Sequence, residues 1–382
     1  MLRIALVCPY SLTIPGGVQA QVMGLARELR AMGHEARVLG PCDGAPPATF
    51  VTPLGNSLPT AANGSIAPLA PDPSAALRTI RAVRDEEFDV LHLHEPIAPG
   101  PPMTTLILRA GPMLGTFHMA GESASYKYLT PAIRRAASYL DERVVVSKDA
   151  LKIVQRYIPG DYEVLFNGVE IDRFKSATAP PGGERAIFFC GRHEPRKGLD
   201  VLLAAHARLP RDVRLWIASD GPDTARLQEE YSGDPRIEWL GRVSDDEKIA
   251  RLKGAAVFCA PSLHGDSFGV VLIEALAAGT TVVASALDGY RNVATDGVDA
   301  LLVPPGDVDA LIAALTTALD DEAVVAPLRA AGMERASRFS MRTLAELYLA
   351  KYRVLVARGH HGANRESAGH RWRMRLVHKL AR

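Results

Sequence analysis

The sequence predicts an α/β architecture of two Rossmann-like domains, and three observations carry that prediction. Short apolar runs alternate with helical segments along most of the chain, the pattern of parallel strands joined by crossover helices. The 382 residues exceed one ordinary core of this class and suit two domains of roughly 150–190 residues each. Apolar residues make up 47% of the chain but aromatics only 6%, which suits aliphatic strands covered on both faces by small-residue helices.

The elements follow in order. Leu2–Cys8 reads as a buried opening strand. A turn holding Pro15, Gly16 and Gly17 leads into a helix over Val18–Met32, whose Val22, Leu25, Ala26 and Leu29 have helical spacing and whose end is marked by Gly33. Ala36–Leu39 is the next strand, and Pro73–Arg84 is a helix opened by proline. Phe88–Leu93, Met113–Phe117, Arg143–Val146 and Glu163–Phe166 continue the strand series. Between 175 and 184, Ser, Ala, Thr, Pro and Gly replace periodic apolar residues, so the boundary is expected there. The first domain then covers 1–174 and the second 184–340.

In the second domain, strands fit Arg185–Cys190, Val213–Ala218, Ile237–Leu240, Ala256–Ala260, Thr281–Ala284 and Ala300–Val303. Helices fit Leu199–Leu209, Asp245–Leu252, Phe268–Ala278 and Val308–Leu319. Two such sheets are expected to face a common cleft, with ligand-binding loops after the carboxyl ends of the strands. A last helix over 341–356 carries Leu344, Tyr348, Tyr352 and Leu355 on its less polar face. Residues 358–382 hold seven Arg or Lys and one Glu, with Trp372, Met374, Leu376, Val377 and Leu380 interleaved. That composition suits a solvated tail or a basic amphipathic helix on an anionic membrane surface.

A formal charge of +1 and the lack of a recognisable motif exclude nucleic acid as the expected partner. Cys8, Cys42, Cys190 and Cys259 form no Cys-x-x-Cys pair, so free thiols in a reducing compartment are expected rather than zinc or disulfides. The opening strand lacks the features of a signal peptide, and no apolar run approaches the ~20 residues of a membrane span. The expected location is the cytoplasm.

Two loops carry the chemistry. In Gly191–Gly198, Arg192 follows a strand and Lys197 precedes a helix, where fixed cations can hold a diphosphate and stabilise the charge it gains as a leaving group. In the second loop, Asp266, Ser267, Phe268 and Gly269 precede or open a helix whose N-terminus can hold phosphate oxygen. Glu274 lies within that helix on an apolar stretch and needs a partner. Ribose hydroxyls suit it, and so does an ordinary ion pair. Asp266 equally suits a helix cap. Gly16 and Gly17 place backbone N–H groups after the first strand, as phosphate-binding turns and many ordinary turns do. His118 at another strand end is the candidate for contacting a transferred sugar, although a lone histidine more often packs or caps. His92, His94 and Glu95 have no third metal ligand at a recognisable spacing, so no metal is expected.

Across roughly residues 1–356 the chain resembles the retaining, GT-B-fold glycosyltransferases of family 4. Within that family it is similar to the actinobacterial phosphatidylinositol mannosyltransferases. The resemblance is carried by Val7-Cys8-Pro9-Tyr10-Ser11, Pro15-Gly16-Gly17-Val18-Gln19, Asn63-Gly64-Ser65, His92-Leu93-His94-Glu95-Pro96, Thr116-Phe117-His118, Asn167-Gly168-Val169, Glu194-Pro195-Arg196-Lys197-Gly198 and Ser267-Phe268-Gly269 through Glu274-Ala275. It implies a GT-B fold whose C-terminal helix returns to the first domain. It further implies Arg192 and Lys197 on a donor diphosphate, Gly16 beside it, Glu274 on the nucleotide ribose and His118 beside the sugar. Tyr10, Asn63 and Ser65 would line the site of an inositol-phosphate acceptor.

The implied reaction moves mannose from GDP-mannose to the inositol ring of phosphatidylinositol, without a metal or other cofactor. Such an enzyme works at the inner face of the cell membrane, on a nucleotide sugar and a lipid-linked acceptor. Two departures stand out. Asp266 replaces the first of the family's two glutamates, which shortens the side chain by about 1.5 Å. Ile66-Ala67-Pro68-Leu69-Ala70 replaces a stretch where relatives carry arginines, and Met119–Ser123 is less basic than a lipid phosphate would favour. Lys127, Arg134 and Arg135 are alternative cations. Arg78, Arg81 and Arg84 interleave with Leu77, Ile80 and Val83, a pattern suiting a surface helix near anionic lipid and ordinary solvation alike. Another nucleotide sugar, a soluble glycan or sugar-alcohol acceptor, and an inactive sugar-nucleotide-binding module are the alternatives.

Overall fold

The computed structural model describes residues 1–62, 65–118, 130–181, 185–266 and 268–359. The chain divides into two compact units. One comprises Met1–Phe166 with the segment from Leu344 onward, and the other comprises Asn167–Thr343.

The strands of the first unit are β1 (Arg3–Val7), β2 (Glu35–Gly40), β3 (Val51–Pro53), β4 (Leu58–Ala62), β5 (Ser65–Leu69), β6 (Val90–His94), β7 (Met113–Phe117), β8 (Glu142–Val145) and β9 (Glu163–Val164). Seven of them form a sheet in the order β3-β2-β1-β6-β7-β8-β9. Every pairing in it is parallel. Ile4, Ala5, Leu6 and Val7 are fully buried, as a central strand covered on both faces requires. The strand order reverses between β1 and β6, so the loops after Val7 and His94 open onto one crevice.

The antiparallel hairpin β4–β5 stands apart from that sheet and was not foreseen in the sequence. It docks on the loop after β1, where Tyr10 bridges to Leu69 and the Ser11 N–H donates to the Pro68 carbonyl at 3.0 Å. The helix Gly17–Ala31 buries Val22, Leu25, Ala26 and Leu29, the face expected from their spacing. The final helix, Met341–Arg358, belongs to this unit from Leu344 onward, and Tyr348, Tyr352 and Leu355 are buried.

The second unit contains β10 (Ala186–Cys190), β11 (Arg214–Ala218), β12 (Ile237–Gly241), β13 (Val257–Ala260), β14 (Thr281–Ser285) and β15 (Leu301–Val303). They pair in the parallel order β12-β11-β10-β13-β14-β15. Here the order reverses between β10 and β13. The loop after Cys190 and the loop after Ala260 are therefore neighbours, although about 70 residues of chain separate them.

The compact units divide at Phe166/Asn167, so the segment 167–174 of the expected first domain lies with the second unit. Ile171–Ser176 is a helix that packs on Asp245–Gly254 and Val270–Ala278. Phe174 is buried there and its carbonyl accepts from Lys253 Nζ at 3.2 Å. The helix expected from Phe268 starts at Val270, with Gly269 as its N-cap at φ 85°. Phe268 is instead buried with its ring edge-on to Phe339. Finally, Glu322–Ser337 is a helix that the sequence reading omitted, with Pro327 inside it.

Candidate active site

The two charged loops of the second unit meet. Pro195–Lys197 forms one 3-10 turn, closed by Gly198 at φ 68°. A side chain at Gly198 would run into the Pro261 carbonyl, so glycine lets the first loop lie directly on the second. The Leu263 N–H donates to the Arg196 carbonyl at 2.8 Å and completes the junction.

On this backbone Lys197 Nζ donates to Asp266 Oδ1 at 2.6 Å, with Arg196 Nη1 3.8 Å from the same oxygen. Asp266 Oδ2 accepts from the Tyr290 hydroxyl at 2.8 Å. Burial pushes the Asp266 carboxyl up, but Lys197 and the hydroxyls of Ser262 and Tyr290 outweigh it and hold the group below its ordinary range. Asp266 makes no side-chain cap bond to the Val270 helix, so the capping alternative does not describe it. Arg196, absent from the expected site residues, pairs with Glu194 at 2.6 Å. Arg192 is about half exposed beside the same carboxylate, 3.9 Å away.

Glu274 projects from the Val270–Ala278 helix and accepts from Lys248 Nζ at 2.8 Å. Lys248 sits on the Asp245–Gly254 helix with Asp245 3.7 Å away. Burial pulls its ammonium down, yet the carboxylates of Glu274 and Asp245 more than offset that and raise it above the usual lysine range. This is the ion-pair alternative for Glu274. Lys248 was not anticipated; its only signal was a basic residue among the acids opening a predicted helix.

In the first unit, Gly16 and Gly17 lie where the helix Gly17–Ala31 begins. Gly16 is the N-cap with extended backbone, and the Gln19 side chain folds over it to donate to the carbonyls of Ser11 and Ile14. His118 sits at the carboxyl end of β7, one strand from His94 and Glu95. Its backbone N–H donates to Glu95 Oε1 at 2.7 Å, and its Nε2 shares a 2.9 Å hydrogen bond with His94 Nδ1. His94 stacks between His118 and His92.

His92 bonds through Nδ1 to the Tyr352 hydroxyl at 2.6 Å and through Nε2 to Thr116 Oγ1 at 2.7 Å. Thr116 in turn bonds Tyr348 at 3.0 Å. Burial pulls His118 down to about 3 and His92 and His94 well below their ordinary range, so the stack is neutral. Burial likewise pushes Glu95 up to about 7, against the pull of the His118 N–H. His92 and His94 therefore act as a scaffold around His118, a role that their alternation along the sequence does not reveal.

Among the described residues, no three His, Cys, Asp or Glu side chains converge as metal ligands, and no helix is long and apolar enough to cross a membrane. Tyr10 lies half-buried on the loop that the β4–β5 hairpin covers. The backbone of Ser65 belongs to β5; its side chain, with Asn63, Gly64, Ser267, Met119–Ser123, Lys127 and residues 360–382, lies outside the described residues.

Family models match in the order of the two units. The "Glycosyltransferase Family 4" model covers residues 15–173, and "Glycosyl transferases group 1" covers 184–321. The chain is 38% identical over 369 residues to the phosphatidyl-myo-inositol mannosyltransferase of Mycobacterium leprae (strain TN), spanning 94% of this chain and 98% of that protein. It is 36% identical over 373 residues to the protein of the same name from Mycobacterium tuberculosis (strain ATCC 25618 / H37Rv), spanning 94% and 98%. Among solved structures, sucrose-phosphate synthase from Thermosynechococcus elongatus superposes with a TM-score of 0.74 at 21% identity, over 94% of this chain and 100% of that one. Anabaena HepE in complex with UDP and glucose superposes at 0.69 and 18% identity, over 92% and 99%. The structural likenesses bear on the fold, and the sequence matches bear on the family: this chain belongs to the GT-B glycosyltransferases of family 4 and is a glycosyltransferase.

Proposed function

We propose that the protein transfers mannose from GDP-mannose to an inositol hydroxyl of phosphatidylinositol, with retention and without a metal. The observation that carries the chemistry is the junction of the two second-unit loops, where Lys197, Arg196 and Arg192 gather around the half-buried carboxylates of Glu194 and Asp266. Identity of 36–38% to relatives named phosphatidyl-myo-inositol mannosyltransferase supports the choice of sugar and acceptor.

In this reading Lys197 and Arg192 take the donor diphosphate, and their charge stabilises the phosphate as it leaves. Backbone N–H groups at Phe268 and Gly269 add dipoles around the same anion. Glu274, already oriented by Lys248, accepts from ribose hydroxyls. Asp266 meets a hydroxyl of the transferred sugar. His118 is neutral because it is buried, so it positions the sugar by hydrogen bonding rather than by charge. The departing phosphate takes the acceptor's proton. Tyr10, Asn63 and Ser65 hold the inositol phosphate, and the enzyme works against the inner face of the membrane.

The apolar run Ile66–Ala70 favours a second reading, in which the same site glycosylates an acceptor without a lipid phosphate. Incubation with radiolabelled GDP- and UDP-sugars and a lipid extract separates the two. Label from GDP-mannose in a deacylatable lipid is the expected result, and label confined to water-soluble product overturns the lipid acceptor.

A further inference from the structure

Asp266 departs from the family pattern by one methylene, and the surrounding structure supplies a hydroxyl on the side away from Lys197. Tyr290 lies on the short helix Asp288–Arg291 and is 1% exposed. Its hydroxyl is 2.8 Å from Asp266 Oδ2 and 2.9 Å from Ser262 Oγ. The direction of this chain is fixed by proton count. Asp266 is held ionised beside Lys197, so it only accepts. The phenol hydrogen therefore goes to Asp266, and the Ser262 hydroxyl lies 2.9 Å from the phenol oxygen beside the same carboxylate.

The loop is also shaped to this ring. Gly269 has φ 85°, and a side-chain carbon there would come within 2.8 Å of Tyr290 Cδ1 and 3.3 Å of Val293. The two carboxylate oxygens thus have different holders: Oδ2 the neutral phenol, Oδ1 the Lys197 ammonium. A diphosphate that draws Lys197 away removes the hydrogen bond to Oδ1 and leaves it only the more distant Arg196, 3.8 Å away, while Oδ2 stays bonded.

We propose that Tyr290 is a positioning residue of the donor site, whose phenol fixes the short Asp266 carboxylate so that Oδ1, once exchanged from Lys197, accepts a hydroxyl of the donor sugar. This rests on the donor-site reading above and adds to it the element that compensates for Asp266. The hydroxyl matters to the sugar and not to the nucleotide, because Tyr290 touches neither Lys197 nor Glu274 through the bonds described. It is matched to this side-chain length: a glutamate at 266 carries its carboxylate about 1.5 Å further, out of the geometry that gives the present 2.8 Å bond.

The experiment compares the full-length protein with Tyr290→Phe, Asp266→Glu and the double variant. Calorimetry with GDP and with GDP-mannose is set beside steady-state transfer to phosphatidylinositol vesicles. Phenylalanine keeps the ring against Gly269, and thermal melts check the fold. Removing a bond to a charged group should lower kcat/KM for GDP-mannose about tenfold, mostly in kcat, with GDP affinity changed less than about twofold. In the Asp266→Glu background the same change should cost less than about twofold. Ser262→Ala, which deletes the outer hydroxyl, should act in the same direction by about threefold and serves if Tyr290→Phe folds poorly. Unchanged kinetics in both hydroxyl variants, equal losses of GDP and GDP-mannose binding, or independent effects of Tyr290→Phe and Asp266→Glu each overturn the proposal. If the unsubstituted protein binds neither GDP- nor UDP-sugars, the donor-site reading itself fails and the role of Tyr290 falls with it.

Discussion

Tyr352→Phe removes one oxygen from a chain of polar groups that no water reaches. Tyr352, His92 and Thr116 are each fully buried, and the Tyr352 hydroxyl is 2.6 Å from His92 Nδ1. Phenylalanine leaves no void, so the cost arises almost entirely from the stranded imidazole nitrogen. A buried polar atom without its partner costs about 1–3 kcal/mol, and a middle value of about 2 kcal/mol corresponds to a ~30-fold shift in the opening equilibrium.

Tryptophan fluorescence is the wrong probe, because Trp216 and Trp239 belong to the second unit and Trp372 lies beyond the described residues. Hydrogen exchange of the Leu91–His94 amides is the right one, since these N–H groups lie in the parallel ladder joining β6 to its neighbours. The expected result is exchange about 30-fold faster there, with second-unit amides unchanged. An acceleration below about threefold would refute the argument that His92 depends on the final helix.

Three further outcomes follow from the same structure. His92, His94 and His118 fold neutral, so below ~6.5 the unfolded chain binds protons that the folded one refuses. Their stability, complete above ~6.5, is lost as pH falls toward the folded value of about 3 for His118. Glu95, raised to about 7, works oppositely: its contribution is complete below the ordinary carboxyl value and lost as pH rises through about 7. Three groups against one predict that first-unit exchange protection drops between pH 6.5 and 5, by on the order of 1–2 kcal/mol per pH unit, and increased protection on acidification would contradict this. Lys248→Met strands Glu274 and should lower the unfolding free energy of the second unit, measured by urea titration with Trp216 and Trp239 as reporters, by about 2–3 kcal/mol. Adding Glu274→Gln should recover much of that loss, and a further loss would show that the two do not act as a pair. Gly198→Ala forces a side chain toward the Pro261 carbonyl at φ 68°, so a loss of more than about 2 kcal/mol is expected in the same urea assay, and a neutral result would mean the loop junction is loose.

The fold was legible because the period of the apolar residues is local. Ile4–Val7, Ile187–Phe189 and Val257–Cys259 announce buried strands by themselves, and the strand–helix alternation does the rest. Charged loops at strand ends were legible too, so Arg192, Lys197, Asp266 and His118 were identifiable as candidates. What the sequence hid depends on contacts made at long range. Nothing near Asp266 points to Tyr290, nothing near Glu274 requires Lys248, and nothing near His92 calls for Tyr352. The division between the compact units was hidden for a related reason. The polar stretch 175–184 looks like a linker, yet the short helix before it already packs on the second unit. The β4–β5 hairpin escaped because Pro59 and Pro68 interrupt the strand pattern on both arms, and a hairpin outside the main sheet tolerates proline that a central strand would not.

The second unit is one uninterrupted stretch, Asn167–Thr343, whereas the first is split and needs the segment after Leu344 to close it. This ordering has a consequence during synthesis. The ribosome completes the second unit before it makes Tyr348 and Tyr352, so nascent residues 1–166 must wait with His92 and Thr116 unmatched. The usual amino-first sequence of domain maturation is inverted. A premature stop just after Thr343 leaves the whole second unit tethered to a first one that lacks its closing helix, which makes the early half the natural client of chaperones.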